Sequence, residues 1–127
     1  MIQPFHLSFV VPDKDLAKTF YRDVLGCSIG RDNTSWCDIL FFGHQLTIHQ
    51  SSKQMPAYKI DHFGPVLGKE EWCHVIDACV SNNVEFVMQP KVKNEGQYNE
   101  SGKFVISDPA GNLIEFKYYQ DFADTVG

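Results

Sequence analysis

The sequence predicts an α+β fold built from two copies of one unit, strand–helix–strand–strand–strand. Three observations carry this reading. Alternating apolar segments open at His6 and again at His62, 56 residues later. Each is followed by one stretch of helical periodicity, then by short apolar runs punctuated by turn residues. The internal spacing also repeats, since His6 to Gly26 and His62 to Asn82 are both 20 residues.

In the first copy, residues 5–11 alternate and are rich in Phe, Val and Leu, which predicts a strand. Pro12-Asp13 ends it, and Asp13 is placed to cap a helix. Leu16, Ala17, Phe20, Tyr21 and Val24 then recur at helical spacing until Gly26 stops the run. Residues 27–31, 35–42 and 45–50 are expected as strands, with a tight turn at Gly43-His44. A polar linker covers 51–61.

The second copy opens with a strand at 62–67, where Pro65 implies an irregular or edge position. Gly68 precedes a helix with Glu70 and Glu71 in its first turn, where the helix dipole favours anions. Trp72, Val75, Ile76, Cys79 and Val80 form an apolar stripe at i, i+3, i+4, i+7 and i+8. Asn82-Asn83 stops that helix and Val84–Met88 is expected as a strand. Residues 89–102 are expected as a long polar loop or lid, containing Lys91, Lys93, Asn94, Gln97 and Tyr98. Strands at 103–107 and 112–119 flank the turn Asp108-Pro109-Ala110-Gly111. The whole is one domain spanning 1–127, with module one at about 1–51 and module two at about 60–120.

Composition narrows the function classes. A net charge of −5 without a basic cluster disfavours a nucleic-acid surface. No apolar run reaches the roughly 20 residues of a membrane span, and Met1-Ile2-Gln3-Pro4 lacks the pattern of a signal peptide. Cys27, Cys37, Cys73 and Cys79 show no CxxC spacing and are expected as reduced, buried thiols of a cytoplasmic protein.

The repeat also aligns chemistry. His6 and His62 open the first strands, whereas His49 and Glu115 lie in the last strands. His6 to His49 is 43 residues and His62 to Glu115 is 53, and the ten extra residues fit the loop after Met88. Gly43 to His49 is six residues and Gly111 to Glu115 is four, both even, so the two side chains have matching parity. Three His and one carboxylate suit a divalent transition metal. A lone strand His is more often a core or surface residue, and the repeat is what raises this pair above that reading. Glu115 stands between Ile114 and Phe116, where a carboxylate is costly to bury unless paired or metal-bound. Lys117 and Tyr119 share its face and are candidates to contact substrate, as is Tyr98. His44 and His74 are expected on the surface, and Trp72 and Cys79 in the core.

Three stretches carry a family resemblance. They are His6-Leu7-Ser8-Phe9-Val10-Val11 with Phe20-Tyr21-Arg22-Asp23-Val24-Leu25-Gly26, then His62-Phe63-Gly64, then Asp108-Pro109-Ala110-Gly111-Asn112-Leu113-Ile114-Glu115-Phe116. With them the chain resembles the vicinal oxygen chelate superfamily of glyoxalases, bleomycin-resistance proteins and extradiol dioxygenases, over almost its whole length. The resemblance implies paired βαβββ modules whose curved mixed sheets enclose a central cavity. It implies metal ligands His6, His62 and Glu115, with His49 as the counterpart on the last strand of module one. His49 is thereby a fourth ligand, an acid/base or a cavity residue. The implied cofactor is a divalent ion (Fe2+, Mn2+, Zn2+ or Ni2+) and the implied partners are a small-molecule substrate and a second copy in a homodimer.

The leading expectation is a metal-dependent enzyme acting on a small oxygenated metabolite, dioxygenase-like or glyoxalase-like, with Glu115 or His49 as base. The rival is a metal-free small-molecule binder of the bleomycin-resistance type.

Overall fold

The computed structural model describes residues 4–57, 60 and 62–121. Met1, Ile2 and Gln3 of the N-terminal stretch, and residues 58, 59 and 61 of the linker, lie outside the described residues. The chain forms two compact units. Unit one comprises 1–60 with the turn 108–112, and unit two comprises 61–107 with 113–127. Each unit holds a four-stranded mixed sheet and one helical segment, the βαβββ order expected from the repeat.

Unit one runs β1 (His6–Val11), α1 (Lys14–Thr19), β2 (Ser28–Asp32), β3 (Trp36–Phe41) and β4 (His44–Gln50). The sheet order is β1-β4-β3-β2, with β1 parallel to β4 and the other pairs antiparallel. Asp13 caps α1 as expected, its carboxylate accepting from the Leu16 N–H at 3.0 Å. The helix continues into a π-helical turn, Phe20–Val24. Strand alternation sends Phe9, Val11, Cys37, Ile39, Phe41, Leu46 and Ile48 into the core, where they meet Ala17 and Tyr21. Leu16, expected on that face, is 54% exposed. The hairpin turn is Phe42-Gly43, one residue earlier than expected, with both residues at positive φ (49° and 84°).

The Phe-Tyr and Asp-Pro-x-Gly-Asn patterns meet inside this unit. Tyr21 is fully buried and its hydroxyl donates to Asp108 Oδ2 at 3.0 Å. The other Asp108 oxygen accepts from the backbone N–H groups of Ala110 and Asn112 at 2.9 and 2.8 Å. Burial beside that carboxylate pushes the Tyr21 hydroxyl well above the ordinary tyrosine range. These motif residues therefore lock a turn against the core.

Unit two runs β5 (Val66–Leu67), α2 (Lys69–Ser81), β6 (Phe86–Lys93), β7 (Ser101–Ser107) and β8 (Leu113–Tyr119), in sheet order β5-β8-β7-β6. α2 buries Trp72, Val75 and Cys79, whereas Val80 at the end of the expected stripe is 62% exposed. Trp72 packs against Tyr118 at 4.8 Å between ring centroids and donates its indole N–H to the Phe116 carbonyl at 3.0 Å. Phe104 stacks on Phe116 at 4.9 Å. Truncating such a buried Trp costs about 3–5 kcal/mol. The expected strand at 62–67 is regular only at its end, with one earlier bridge at Phe63 opposite Ile114.

The long loop at 89–102 is a correction. β6 begins at Phe86 and continues through Lys93, and β7 begins at Ser101, which leaves a short connection. Polar composition and Pro90 hid the strand extension. Glu100 anchors the connection. It is buried and accepts from the Gly96 N–H (2.8 Å), the Tyr118 hydroxyl (2.7 Å) and Lys69 (2.8 Å). The Gly96 hydrogen bond, then Lys69 and Tyr118, push its carboxyl down to about 2.

Among the described residues no helix is long and apolar enough to cross a membrane. All four cysteines are free. Cys27, Cys37 and Cys79 are buried, but Cys73 is exposed. His74 is exposed as expected, whereas His44 is half-buried and accepts from the Phe5 N–H at 2.7 Å.

Candidate functional site

Each sheet has one apolar face buried under its helix and one polar face. The candidate residues sit on the polar faces.

In unit two the decisive position is Gly64. The parallel ladder joins Phe63 and Glu115, with Phe63 N–H donating to Leu113 at 3.1 Å and Glu115 N–H donating to Phe63 at 2.8 Å. A Cβ on Gly64 would lie 1.7 Å from the Glu115 carbonyl oxygen. Only glycine permits this approach. It brings the preceding His62 alongside Glu115, with Nε2 3.9 Å from Oε2. The Glu115 side chain is 19% exposed and His62 is 52% exposed, so the pair is open to an incoming ligand. Lys117 Nζ stands 3.7 Å from the other Glu115 oxygen and 5.2 Å from the centroid of the Tyr119 ring. The hydrogen bond to Tyr119 raises the Lys117 pKa, aided by the Glu115 charge and opposed by partial burial.

In unit one His6 opens β1 on the polar face. Its direct partner across the parallel pair is Gln45, whereas His49 pairs with Val10 at the far end. His6 and His49 are thus offset by four residues, about 13 Å along the strands. The register of module two pairs Phe63 with Ile114 and Val66 with Lys117, which sets Gly64 beside Glu115. The matching pair in module one is Ser8 and Thr47. Thr47 therefore occupies the position related to Glu115, and the expectation that His49 is the counterpart is corrected. Parity fixed the correct face, but parity does not fix register.

Around Thr47 lies a polar group that the sequence reading missed. Its hydroxyl donates to Asp38 Oδ1 at 2.7 Å, and Arg31 Nε donates to Asp38 Oδ2 at 2.6 Å. Asp38 is buried. Burial works to raise its pKa, but Thr47 and Arg31, with a smaller contribution from His6, hold it below the ordinary carboxylate range. The available signal was Asp38 itself, a carboxylate between Cys37 and Ile39 in an apolar run. His49 lies beside Trp36, ring centroids 6.5 Å apart, and the Arg31 guanidinium covers that indole at 5.0 Å.

The donor chemistry of unit two fits a divalent ion. Two donors each about 2.1 Å from one ion stand at most about 4.2 Å apart, and the His62–Glu115 separation of 3.9 Å falls within that limit. Among the described residues no group of three or more His, Cys, Asp or Glu forms a ready-made shell.

A pocket of about 390 Å³ lies further along the same sheet, lined by Lys91, Lys93, Ser101, Lys103, Lys117 and Tyr119 among others. Two of the three expected substrate residues, Lys117 and Tyr119, line it. Tyr98 does not, and is 81% exposed.

Residues 3–116 match the model of a family described as the Glyoxalase/Bleomycin resistance protein/Dioxygenase superfamily. Among curated proteins no significant sequence match is found. A solved glyoxalase/bleomycin resistance protein/dioxygenase from Alicyclobacillus acidocaldarius is 31% identical, with a TM-score of 0.80 over 95% of this chain and 94% of that one. Lactoylglutathione lyase from Agrobacterium tumefaciens shares the fold at 18% identity, with a TM-score of 0.72 over 94% of this chain and 96% of that one. A virulence protein from Salmonella typhimurium does so at 23% identity, with a TM-score of 0.66 over 94% and 98%.

Proposed function

The chain belongs to the glyoxalase/bleomycin resistance protein/dioxygenase superfamily, and from that premise we propose that it is a metal-dependent enzyme acting on a small oxygenated metabolite, dioxygenase-like or glyoxalase-like. The observation that carries the reading is the approach of His62 to Glu115 at 3.9 Å. The glycine at position 64 gives this approach a structural cause.

His62 and Glu115, both of unit two, are the proposed metal donors. When bound, a divalent ion (Fe2+, Mn2+, Zn2+ or Ni2+) would lower the pKa of a substrate oxygen and stabilise developing negative charge. Glu115 is assigned proton transfer as well, because its side chain is part-exposed and one of its oxygens stands 3.7 Å from Lys117, on the side away from His62. His49 is assigned to proton handling rather than to the metal, because the register sets it two residues beyond the position related to Glu115. A cytoplasmic setting and a homodimer complete the proposal, and gel filtration with light scattering tests the dimer.

Elemental analysis and titration of untagged protein with Fe(II), Mn(II), Zn(II) and Ni(II) test the reading. About one ion per chain is expected, with affinity reduced about tenfold or more in Glu115→Gln and His62→Ala. Absence of binding by any of the four ions would transfer the assignment to a metal-free binder of the bleomycin-resistance type.

A further inference from the structure

Away from Glu115, the polar face of sheet two changes character. The register sets Lys91 opposite Lys103 and Lys103 opposite Lys117, so three ammonium-bearing residues occupy directly facing positions on β6, β7 and β8. In the next row Lys93 faces Ser101, which faces Tyr119. Facing residues on adjacent antiparallel strands hold their Cβ atoms about 5 Å apart, and like charges there are destabilising. The chain carries 16 acidic residues against 11 basic ones. Even so, among the described residues only Lys117 of these four meets a carboxylate within 4.0 Å.

Lysines on β6 are explained by edge protection, since β6 ends the sheet. Lys103 and Lys117 lie on the interior strands β7 and β8, where that explanation has no force. The path of β6 adds a second argument. Its pairing with β7 shifts between Met88 and Lys91, where one extra residue is accommodated on β6. A regular continuation from Met88 would set Pro90 and Val92 on the polar face and turn Lys91 and Lys93 away. The bulge turns both lysines onto the face that carries Lys103, and with Lys117 the four line the 390 Å³ pocket together.

We propose that this pocket is a binding site for a compact, multiply charged oxyanion, with the phosphate group of a small phosphorylated molecule as the preferred ligand. The charge density selects a multivalent anion. The lysine composition selects a tetrahedral one, because ammonium groups act as point charges and no guanidinium lines the pocket to grip a planar carboxylate. The modest volume of the pocket and the negative net charge of the chain favour a small molecule over a nucleic acid. The site lies one pleat, about 7 Å, from Glu115; the two share Lys117, whereas Lys91, Lys93 and Lys103 belong to this pocket alone.

Isothermal titration calorimetry on the full chain, stripped of metal by chelating resin, tests the proposal with pyrophosphate, malonate and a short single-stranded DNA. Pyrophosphate is expected to bind most tightly and to weaken with salt. Its affinity should fall about tenfold in Lys103→Met, equal to a loss of about 1.4 kcal/mol, and recover in Lys103→Arg. Circular dichroism melts of the variants should show no loss of stability against the parent chain, which separates a lost ligand contact from a lost fold. Unchanged pyrophosphate affinity in Lys103→Met would overturn the site. Malonate binding as tightly as pyrophosphate would overturn the tetrahedral preference, and tighter binding of the DNA would overturn the small-molecule assignment.

Discussion

The two sheets share one topology and carry opposite chemistry. On the polar face of unit one, a buried carboxylate is satisfied within the sheet. Asp38 is held by Thr47 at 2.7 Å and Arg31 at 2.6 Å, so its charge is largely spent locally. On the polar face of unit two, Glu115 meets His62 and Lys117 only at 3.9 and 3.7 Å, and the lysines beyond it face one another. Unit one thus presents a closed hydrogen-bonded group, and unit two presents groups at distances that leave room for a ligand. A repeat conserves backbone pairing more easily than it conserves function, because pairing depends on alternation and turns. The polar face is free to diverge.

The two units should respond most differently at the equivalent positions Ser8 and Gly64. Gly64→Ala sets a Cβ against the Glu115 backbone and should cost about 3 kcal/mol, together with metal affinity. Ser8→Ala should cost less than about 1 kcal/mol, because module one already accommodates a side chain there. Urea melts of the two variants read the difference, and equal losses would refute the assigned crowding.

Thr47→Val comes next. It leaves a buried carboxylate short of one donor and should cost about 2 kcal/mol, with little change in ligand binding by unit two. Chemical denaturation monitored by tryptophan fluorescence is the check.

Acid should weaken unit two through Glu100. Its folded pKa of about 2 lies below its ordinary value of 4.5. The unfolded chain therefore takes up the proton first as pH falls. The stability Glu100 contributes is complete above about 4.5 and is lost progressively toward about 2. Glu100→Gln should flatten that part of a stability–pH curve. The smallest effect is expected for Lys103→Met in the absence of anions, a gain of at most about 0.5 kcal/mol from relieving facing like charges. Thermal melts at low and high salt would detect it, with the gain shrinking as salt screens the charges.

Much of the fold was legible where local chemistry and periodicity agreed. Asp13 reads as a cap and is one, and Trp72, Val75 and Cys79 read as a buried stripe and are one. Helical period fails at the ends of a stripe, as Val80 and Leu16 show, since contact depends on how far the sheet reaches beneath the helix. The site was legible to the level of a face. His62 and Glu115 converge, but the partner of Glu115 in the repeat is Thr47, because a two-residue slip leaves parity unchanged. Asp38 and Arg31 escaped because their meaning lies in cross-strand pairing. Lys91 and Lys93 were noticed, but they were assigned to a loop because bulges break the alternation by which a strand is recognised.

That bulge has an evolutionary consequence. Were β6 to pair on regularly from Met88, with the extra residue passed into the connection before Ser101, Pro90 and Val92 would replace the lysines on the pocket wall, whereas deleting that residue would straighten the strand and leave Lys91 opposite Lys103. Where the bulge falls along β6 therefore decides whether charged or apolar side chains of this strand face the pocket. Bulge placement in this strand, as much as substitution, is where divergence in ligand preference among such chains should be sought.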